Sequence, residues 1–224
     1  EKFQAVADLW CSSFFANRED AVNPDDYREA LSSLGRDAAF RRLFRSEWFT
    51  KATARVRAAD VRALHWELEF PEVFFGAAGR REEAGFDAVI GNPPYDVLSD
   101  LETGLNLGAL RKFIDHEPLF GPSRVGKNNL YKLFICRALD LLAEHGQFGF
   151  IVPMTLLGDK IASGIRQAML DLGTITTVDA FPQKDDWRRR VFPEAKLATC
   201  VFTMMKTDDG RFRQRPFVSR QHPA

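Results

Sequence analysis

Phe86-Asp87-Ala88-Val89-Ile90-Gly91-Asn92-Pro93-Pro94-Tyr95 is the stretch that decides the fold. Its first six residues form a short apolar run, as suits a strand buried in a parallel sheet. The two prolines forbid its continuation as strand or helix. Downstream the period changes. Leu130, Phe134, Ala138, Leu141 and Leu142 form a helical stripe with Asn129 as cap and Gly146 as stop, which predicts a helix over 130–145. Gln147–Val152 reads as a strand halted by Pro153. A second helix, about 156–172, turns Leu157, Ile161, Ile165 and Met169 inward and stops at Gly173. Ile175–Phe181 and Leu197–Lys206 read as strands joined by a charged connection. The order strand, loop and helix, strand, helix, strand, strand predicts an α/β fold whose first strands are parallel. The last two, joined without a helix, are expected as an antiparallel hairpin at the sheet edge.

Upstream the pattern is helical. Phe3, Val6, Ala7, Trp10 and Phe14 recur at helical spacing. Asp25 or Asp26 can cap a helix that runs to Leu34, and a longer one follows from Asp37. Seven basic residues stand against two acidic ones over Arg36–Arg57, a solvated face or a phosphate-facing one.

Composition bounds the function. In 224 residues, 31 Lys+Arg balance 31 Asp+Glu. That excludes a uniformly basic nucleic-acid sleeve and an acidic disordered tail. Cys11, Cys136 and Cys200 are dispersed among apolar neighbours and read as free thiols. Neither they nor His65, His116, His145 and His222 have metal-ligand spacing, so no metal is expected. With no signal peptide pattern and no apolar run near ~20 residues, the expectation is a cytoplasmic protein without a membrane span.

Asn92-Pro93-Pro94-Tyr95 sits past the carboxyl end of the first strand, the edge at which open α/β sheets bind ligands. The prolines leave the backbone few alternatives. Asn92 then offers a side-chain oxygen, Pro93 a carbonyl and Tyr95 a flat face. Two convergent acceptors suit a planar amine such as the exocyclic nitrogen of adenine. Gripping both hydrogens favours pyramidal geometry and builds electron density on nitrogen, which can then attack a methyl group. No strong base is required, in keeping with the absence of His or Lys from the motif. Asn-Pro alone also starts ordinary turns.

Phe86–Tyr95 resembles motif IV of the class I, S-adenosylmethionine-dependent amino-methyltransferases acting on DNA adenine. His65–Phe74 is similar to a segment of type IIG restriction–modification and related phage-defence methyltransferases. Asn129–Leu142 with Gly146–Pro153 resembles their next helix–strand unit. The resemblance spans roughly 66–206. It implies part of a Rossmann-like class I methyltransferase sheet preceded by a helical segment, and site-specific methylation of a flipped adenine in duplex DNA within a restriction–modification or defence system. Asn92, Pro93, Pro94 and Tyr95 take the catalytic positions. A second aromatic, from a Phe-Pro pair before the last strand, maps to Phe192, with Phe181 as a competing match. A family lysine maps to Lys196 with a one-residue offset. Extrusion costs a few kcal/mol, and each base–aromatic stack returns about 1–3 kcal/mol. Protein-glutamine and ribosomal-RNA guanine methyltransferases share the motif, and a non-catalytic DNA-binding remnant is the third reading. Arg188–Arg190 and Arg211, Arg213, Arg215 and Arg220 are candidate phosphate contacts.

The family's cofactor site begins with a glycine-rich loop. Here no Gly-x-Gly occurs, and Gly76–Gly79 has the flanks of a turn. The resemblance therefore implies a fragment: a helical segment at 1–63, the catalytic half of the domain at 64–206, and a linker or the start of a DNA-recognition module at 207–224. The cofactor half and a downstream recognition domain are its expected partners, unless the upstream residues simply lie outside this sequence. S-adenosylmethionine is the implied cofactor; Asn92 is the one residue here with a possible contact to it. The expectation is weak or no binding of S-adenosylmethionine by this chain alone. Calorimetric titration checks it, and micromolar affinity contradicts it.

Overall fold

A computed structural model describes residues 2–13, 22–58, 63–98, 107–126, 128–207 and 218–222. They fall into two compact units, one of residues 1–79 with 108–113 and one of 80–107 with 114–224.

The first unit is helical: α1 (Lys2–Ser12), α2 (Pro24–Ser33), α3 (Asp37–Leu43) and α4 (Glu47–Ala58), then the short α5 (Trp66–Glu69) and α6 (Pro71–Phe74). Val6, Leu9, Ala30, Phe40, Leu43, Phe49 and Ala52 make its core. Asn23, not Asp25 or Asp26, caps α2. Its side chain accepts from both aspartate amides, and Pro24 occupies the first helical position, where no N–H is needed. The expected long helix from Asp37 breaks into α3 and α4 at Phe44–Ser46. Gly76–Gly79 is a turn, between the two-residue strands β1 (Phe75–Gly76) and β2 (Gly79–Arg80).

The second unit is the α/β sheet. Its strands are β3 (Phe86–Gly91), β4 (Leu142–Pro153), β5 (Gly173–Phe181), β6 (Thr199–Lys206) and β7 (Val218–Gln221), in the order β3-β4-β6-β5-β7. β3 and β4 are parallel, as expected, and β6 runs antiparallel to both β4 and β5. The antiparallel pair therefore exists, but not as an edge hairpin. β6 is inserted between β4 and β5, because its apolar residues Cys200, Phe202 and Met204 pair with Val152, Phe150 and Phe148. In the stretch read as a linker, β7 pairs parallel with β5. β3, β4 and β5 thus end, and β6 begins, on one edge.

Between β3 and β4 lie α7 (Gly108–His116), a 3-10 segment (Pro118–Arg124) and α8 (Leu130–Leu141). α8 stops a turn earlier than its sequence pattern implies, since Leu142 already pairs with Phe86. Ala143–Gly146 then bulges against Asp87 before Gln147 meets Ala88, with His145 at φ 63°. The buried face of α8 also differs from the expected stripe. Tyr131, Ile135, Ala138 and Leu139 are inside, and Phe134 is 47% exposed. A helix that is apolar nearly all round leaves its orientation open to more than one period. The second helix is broken as well, into α9 (Thr155–Gly158), a 3-10 turn (Lys160–Ala162) and α10 (Ser163–Leu172). Leu156 rather than Leu157 is buried there, with Ile165 and Met169.

Buried or half-buried cations close these irregular joints. Lys132 is fully buried and donates to the carbonyls of Ser123 and Val125 at 2.9 Å and of Ile161 at 3.3 Å. Burial pulls its ammonium below the ordinary lysine value. Lys206 donates to Leu139 and Leu142 carbonyls at 2.8 and 2.7 Å, at the end of α8. Arg166 holds the carbonyls of Leu156 and Asp159 at 2.9 and 2.7 Å.

Gly85 enters β3 at φ +140°, and a Cβ there would stand 2.4 Å from the Ala143 amide nitrogen. Gly85→Ala combines backbone strain with a collision against main chain. Chemical denaturation is expected to show a loss of about 3 kcal/mol or more; unchanged stability would contradict this entry into the sheet.

Candidate active site

The Asn92–Tyr95 corner begins where β3 stops. Gly91 passes the Phe150 ring so closely that a Cβ would meet its edge at 3.1 Å. Pro93 is buried and anchors the corner, while Asn92 and Pro94 are exposed and Tyr95 is half-buried. The chain then returns along the start of α8. Leu98 N–H donates to Asn128 carbonyl at 2.8 Å, Leu130 N–H to Asp96 carbonyl at 2.9 Å, and Val97 bridges Asn129. Tyr131, next along, is fully buried, its hydroxyl 3.4 Å from Thr155 Oγ1. The corner is thus fixed at both ends, by the sheet before it and by this stitch after it.

Within the corner the Tyr95 hydroxyl lies 2.8 Å from Asn92 Oδ1 and 3.2 Å from the Ile151 carbonyl oxygen. A phenol has one proton to donate, so two acceptors compete for it. Asn92 Oδ1 retains a second lone pair on an exposed side chain. Burial, with a smaller contribution from the Cys200 thiol, raises the Tyr95 phenol to about 12. It stays protonated, and so a donor, through the neutral range.

Phe192 is half-buried and faces Tyr95, ring centroids 6.3 Å apart and planes at 64°. A planar base between two parallel rings needs about 7 Å, twice a carbon–carbon contact distance. The two rings therefore meet edge-to-face, with no room for a planar base between them as they stand. Phe181, the competing match, stacks on His222 at 4.3 Å and 3°. Lys196 is exposed, with its ammonium 3.3 Å from Asp185 Oδ1. Of the basic clusters, the Arg188 guanidinium lies over the Trp187 ring at 5.4 Å and Arg220 lies 3.7 Å from Asp179. Arg190 turns onto its own loop, donating to Lys184, Asp185 and Pro193 carbonyls. Arg211, Arg213 and Arg215 lie outside the described residues, as does the side chain of Arg189.

The Ile151 carbonyl, the Asn128–Leu130 stitch and Lys132 were not singled out by sequence reasoning. Lys132 had a visible signal, a lone lysine inside the apolar run Leu130–Cys136. The carbonyl has no sequence signature at all.

The residues described do not assemble a cradle for S-adenosylmethionine. No glycine loop follows β3, and the missing side chain of Gly91 makes room for Phe150 rather than for a ligand. Among the described residues the side-chain oxygens of Asn128, Asn129, Thr174 and Thr199 are buried without a partner, and Asn128 and Asn129 belong to the stitch beside the corner. Among the described residues no group of three or more His, Cys, Asp or Glu is arranged to hold a metal, and no helix is long and apolar enough to cross a membrane.

The model of the Eco57I restriction-modification methylase family matches residues 7–187. The chain belongs to that family. Solved structures to which it is similar include a candidate class I S-adenosylmethionine-dependent methyltransferase from Listeria monocytogenes, at 16% identity over 62% of this chain and 38% of that one, TM-score 0.45. A second is the M protein of the type I restriction enzyme EcoKI, at 18% identity over 55% and 21%, TM-score 0.39. A third is the type IIG restriction endonuclease BpuSI, at 14% identity over 92% and 25%, TM-score 0.40. This Eco57I-family chain therefore spans 38% of the first of these proteins and less of the other two.

Burial raises the phenols of Tyr27 and Tyr131 as well as that of Tyr95. A raised folded-state value means that protonation favours the fold, and the contribution is lost as pH climbs through it. Ultraviolet titration is expected to show the three tyrosines ionising above the usual phenol range of about 10, with Tyr95→Phe removing the step near 12. A phenol lost on Tyr95→Phe that titrates near 10 would show that the Tyr95 hydroxyl is solvated rather than held in the corner.

Proposed function

We propose that this chain supplies the amine-gripping part of a DNA methyltransferase in a restriction–modification or defence system, acting on the exocyclic nitrogen of an adenine flipped from duplex DNA. Family membership supports the restriction–modification setting. The corner supports the chemistry, and one observation carries it. Asn92 is exposed at the carboxyl end of β3, its amide oxygen 2.8 Å from a tyrosine hydroxyl whose ring faces a second aromatic.

The sequence of events on this chain's residues runs from capture to proton loss. The extruded base enters between Tyr95 and Phe192 as the two rings move apart, and stacking offsets the cost of leaving the duplex. Its amine gives one hydrogen to Asn92 Oδ1 and the other to the Pro93 carbonyl. Tyr95 need not leave, because Asn92 has a second lone pair and the Ile151 carbonyl is a nearby alternative acceptor at 3.2 Å. Both bonds strengthen as positive charge grows on nitrogen, so they stabilise the transition state more than the ground state. S-adenosylmethionine, when bound, would supply the methyl group: its methyl carbon–sulfur bond would break with the pair left on sulfur as the nitrogen–carbon bond forms, and the nitrogen then sheds one proton to solvent. The methyl donor of this proposal is S-adenosylmethionine, for which the described residues form no cradle. What this chain does is confined to the amine. Lys196 keeps no catalytic part in the proposal, since its ammonium is engaged by Asp185 on the surface.

The test is methyl transfer by the full-length protein to duplex DNA, to a release-factor protein and to ribosomal RNA in parallel. The expected product is N6-methyladenine in DNA, identified by mass spectrometry of nucleosides. Asn92→Ala is expected to lower turnover by about a hundredfold or more with an unchanged unfolding temperature. Retained turnover would refute the role of Asn92. Methylation of protein or RNA alone would move the activity to another amide or amine, and no transfer at all would favour a non-catalytic DNA-binding protein.

A further inference from the structure

The connection from β5 to β6 carries Phe192 and has almost no regular structure, only a 3-10 turn at Trp187–Arg189. Side chains shape it instead. Gln183 Oε1 accepts from the amides of Asp185 and Asp186 at 2.8 and 3.3 Å, and Asp186 Oδ1 accepts from Arg188 N–H at 3.0 Å. Arg190 joins the two ends. Its Nε donates to the Lys184 carbonyl at 2.6 Å, Nη2 to the Asp185 carbonyl at 3.3 Å, and Nη1 to the Pro193 carbonyl at 3.0 Å. One planar guanidinium therefore ties the entry of the loop to the residue directly after Phe192. Beyond it, Ala195 N–H closes on the Phe192 carbonyl at 3.1 Å.

We propose that Arg190 is a positioning residue for base capture: it holds the loop so that the Phe192 ring stands against Tyr95. This rests on the proposed reading of the Tyr95–Phe192 slot as the place where the extruded base stacks. The chemistry favours arginine. A guanidinium presents several donors in a rigid fork, and each of its bonds to carbonyl oxygen is charge-assisted. A lysine ammonium is a point donor on a flexible stem and cannot span the same three acceptors with fixed geometry. The assignment also changes the meaning of the arginine run. Arg190 faces its own backbone, while its neighbour Arg188 lies over an exposed tryptophan. The tie fixes the backbone beside the Phe192 ring, whose centroid stands 6.3 Å from that of Tyr95.

The test is a double-mutant cycle in the full-length protein, read as kcat/KM for methyl transfer to duplex DNA. A purely structural defect adds to the loss from Phe192→Ala, whereas a residue acting through Phe192 does not. Arg190→Ala is expected to lower kcat/KM roughly tenfold, the scale of one base–aromatic stack. In the Phe192→Ala background the same change is expected to do nothing further. With 2-aminopurine at the target position, Arg190→Ala and Phe192→Ala are expected to alter the emission of the bound complex in the same direction. Should Arg190→Ala not fold, Arg190→Lys carries the same cycle, because it keeps the charge and loses the fork. Unchanged kcat/KM in Arg190→Ala, or equal losses in both backgrounds, would overturn the positioning role while leaving the methyltransferase reading intact. Absence of transfer to DNA by the unaltered protein would remove that reading, and this role with it.

Discussion

Pro93 and Pro94 have no N–H to give to a ladder, so the chain must leave the sheet at Gly91, on the edge where β4 and β5 also end and β6 begins. From that single interruption follow the exposure of Asn92, the burial of Pro93 and the half-burial of Tyr95. What prolines cannot do is fix the far side of the corner. That falls to the backbone exchange between Asp96–Leu98 and Asn128–Leu130, which binds the corner to the start of α8. Lys132, one turn into the same helix, gathers three carbonyls from the segments on either side. The corner is thus held largely by main chain, and within it the Tyr95 hydroxyl meets Asn92 and the Ile151 carbonyl.

Charge in this molecule is used inwardly as well as outwardly. Lys132, Arg166, Arg190 and Lys206 each donate to two or more backbone carbonyls at joints where helix or strand geometry fails. A cation is well suited to such joints, because it can satisfy several carbonyl lone pairs at once and its bonds to them are strong. The balance of 31 basic and 31 acidic residues conceals this division. A run of arginines read along the chain therefore overstates the charge offered to a phosphate backbone.

The sequence made β3, the parallel β3–β4 pair and the proline corner legible, because apolar runs and prolines act locally. It placed the antiparallel strands correctly as a pair and misplaced them in the sheet. Insertion of β6 beside β4 is decided by Cys200, Phe202 and Met204 fitting against Val152, Phe150 and Phe148, a tertiary match with no local pattern. The end of α8 was missed for a similar reason: pairing of Leu142 with Phe86 overrides a helical period that runs on to His145. At the site, Asn92 and Tyr95 stood out in the Asn-Pro-Pro-Tyr tetrapeptide, whereas Phe192 came from the family resemblance alone. The Ile151 carbonyl and the loop-closing posture of Arg190 were not visible, since one is main chain and the other depends on where its side chain turns.

The central claim is that Asn92 and the Pro93 carbonyl hold both hydrogens of an adenine amine beside Tyr95 and Phe192. A structure of the full-length protein with a duplex carrying its target site measures this directly. The account predicts the extruded adenine stacked on Tyr95, with its exocyclic nitrogen within hydrogen-bond distance of Asn92 Oδ1 and the Pro93 oxygen. A bound duplex whose target base lies elsewhere, with the Tyr95 and Phe192 rings still closed edge-to-face, would contradict it.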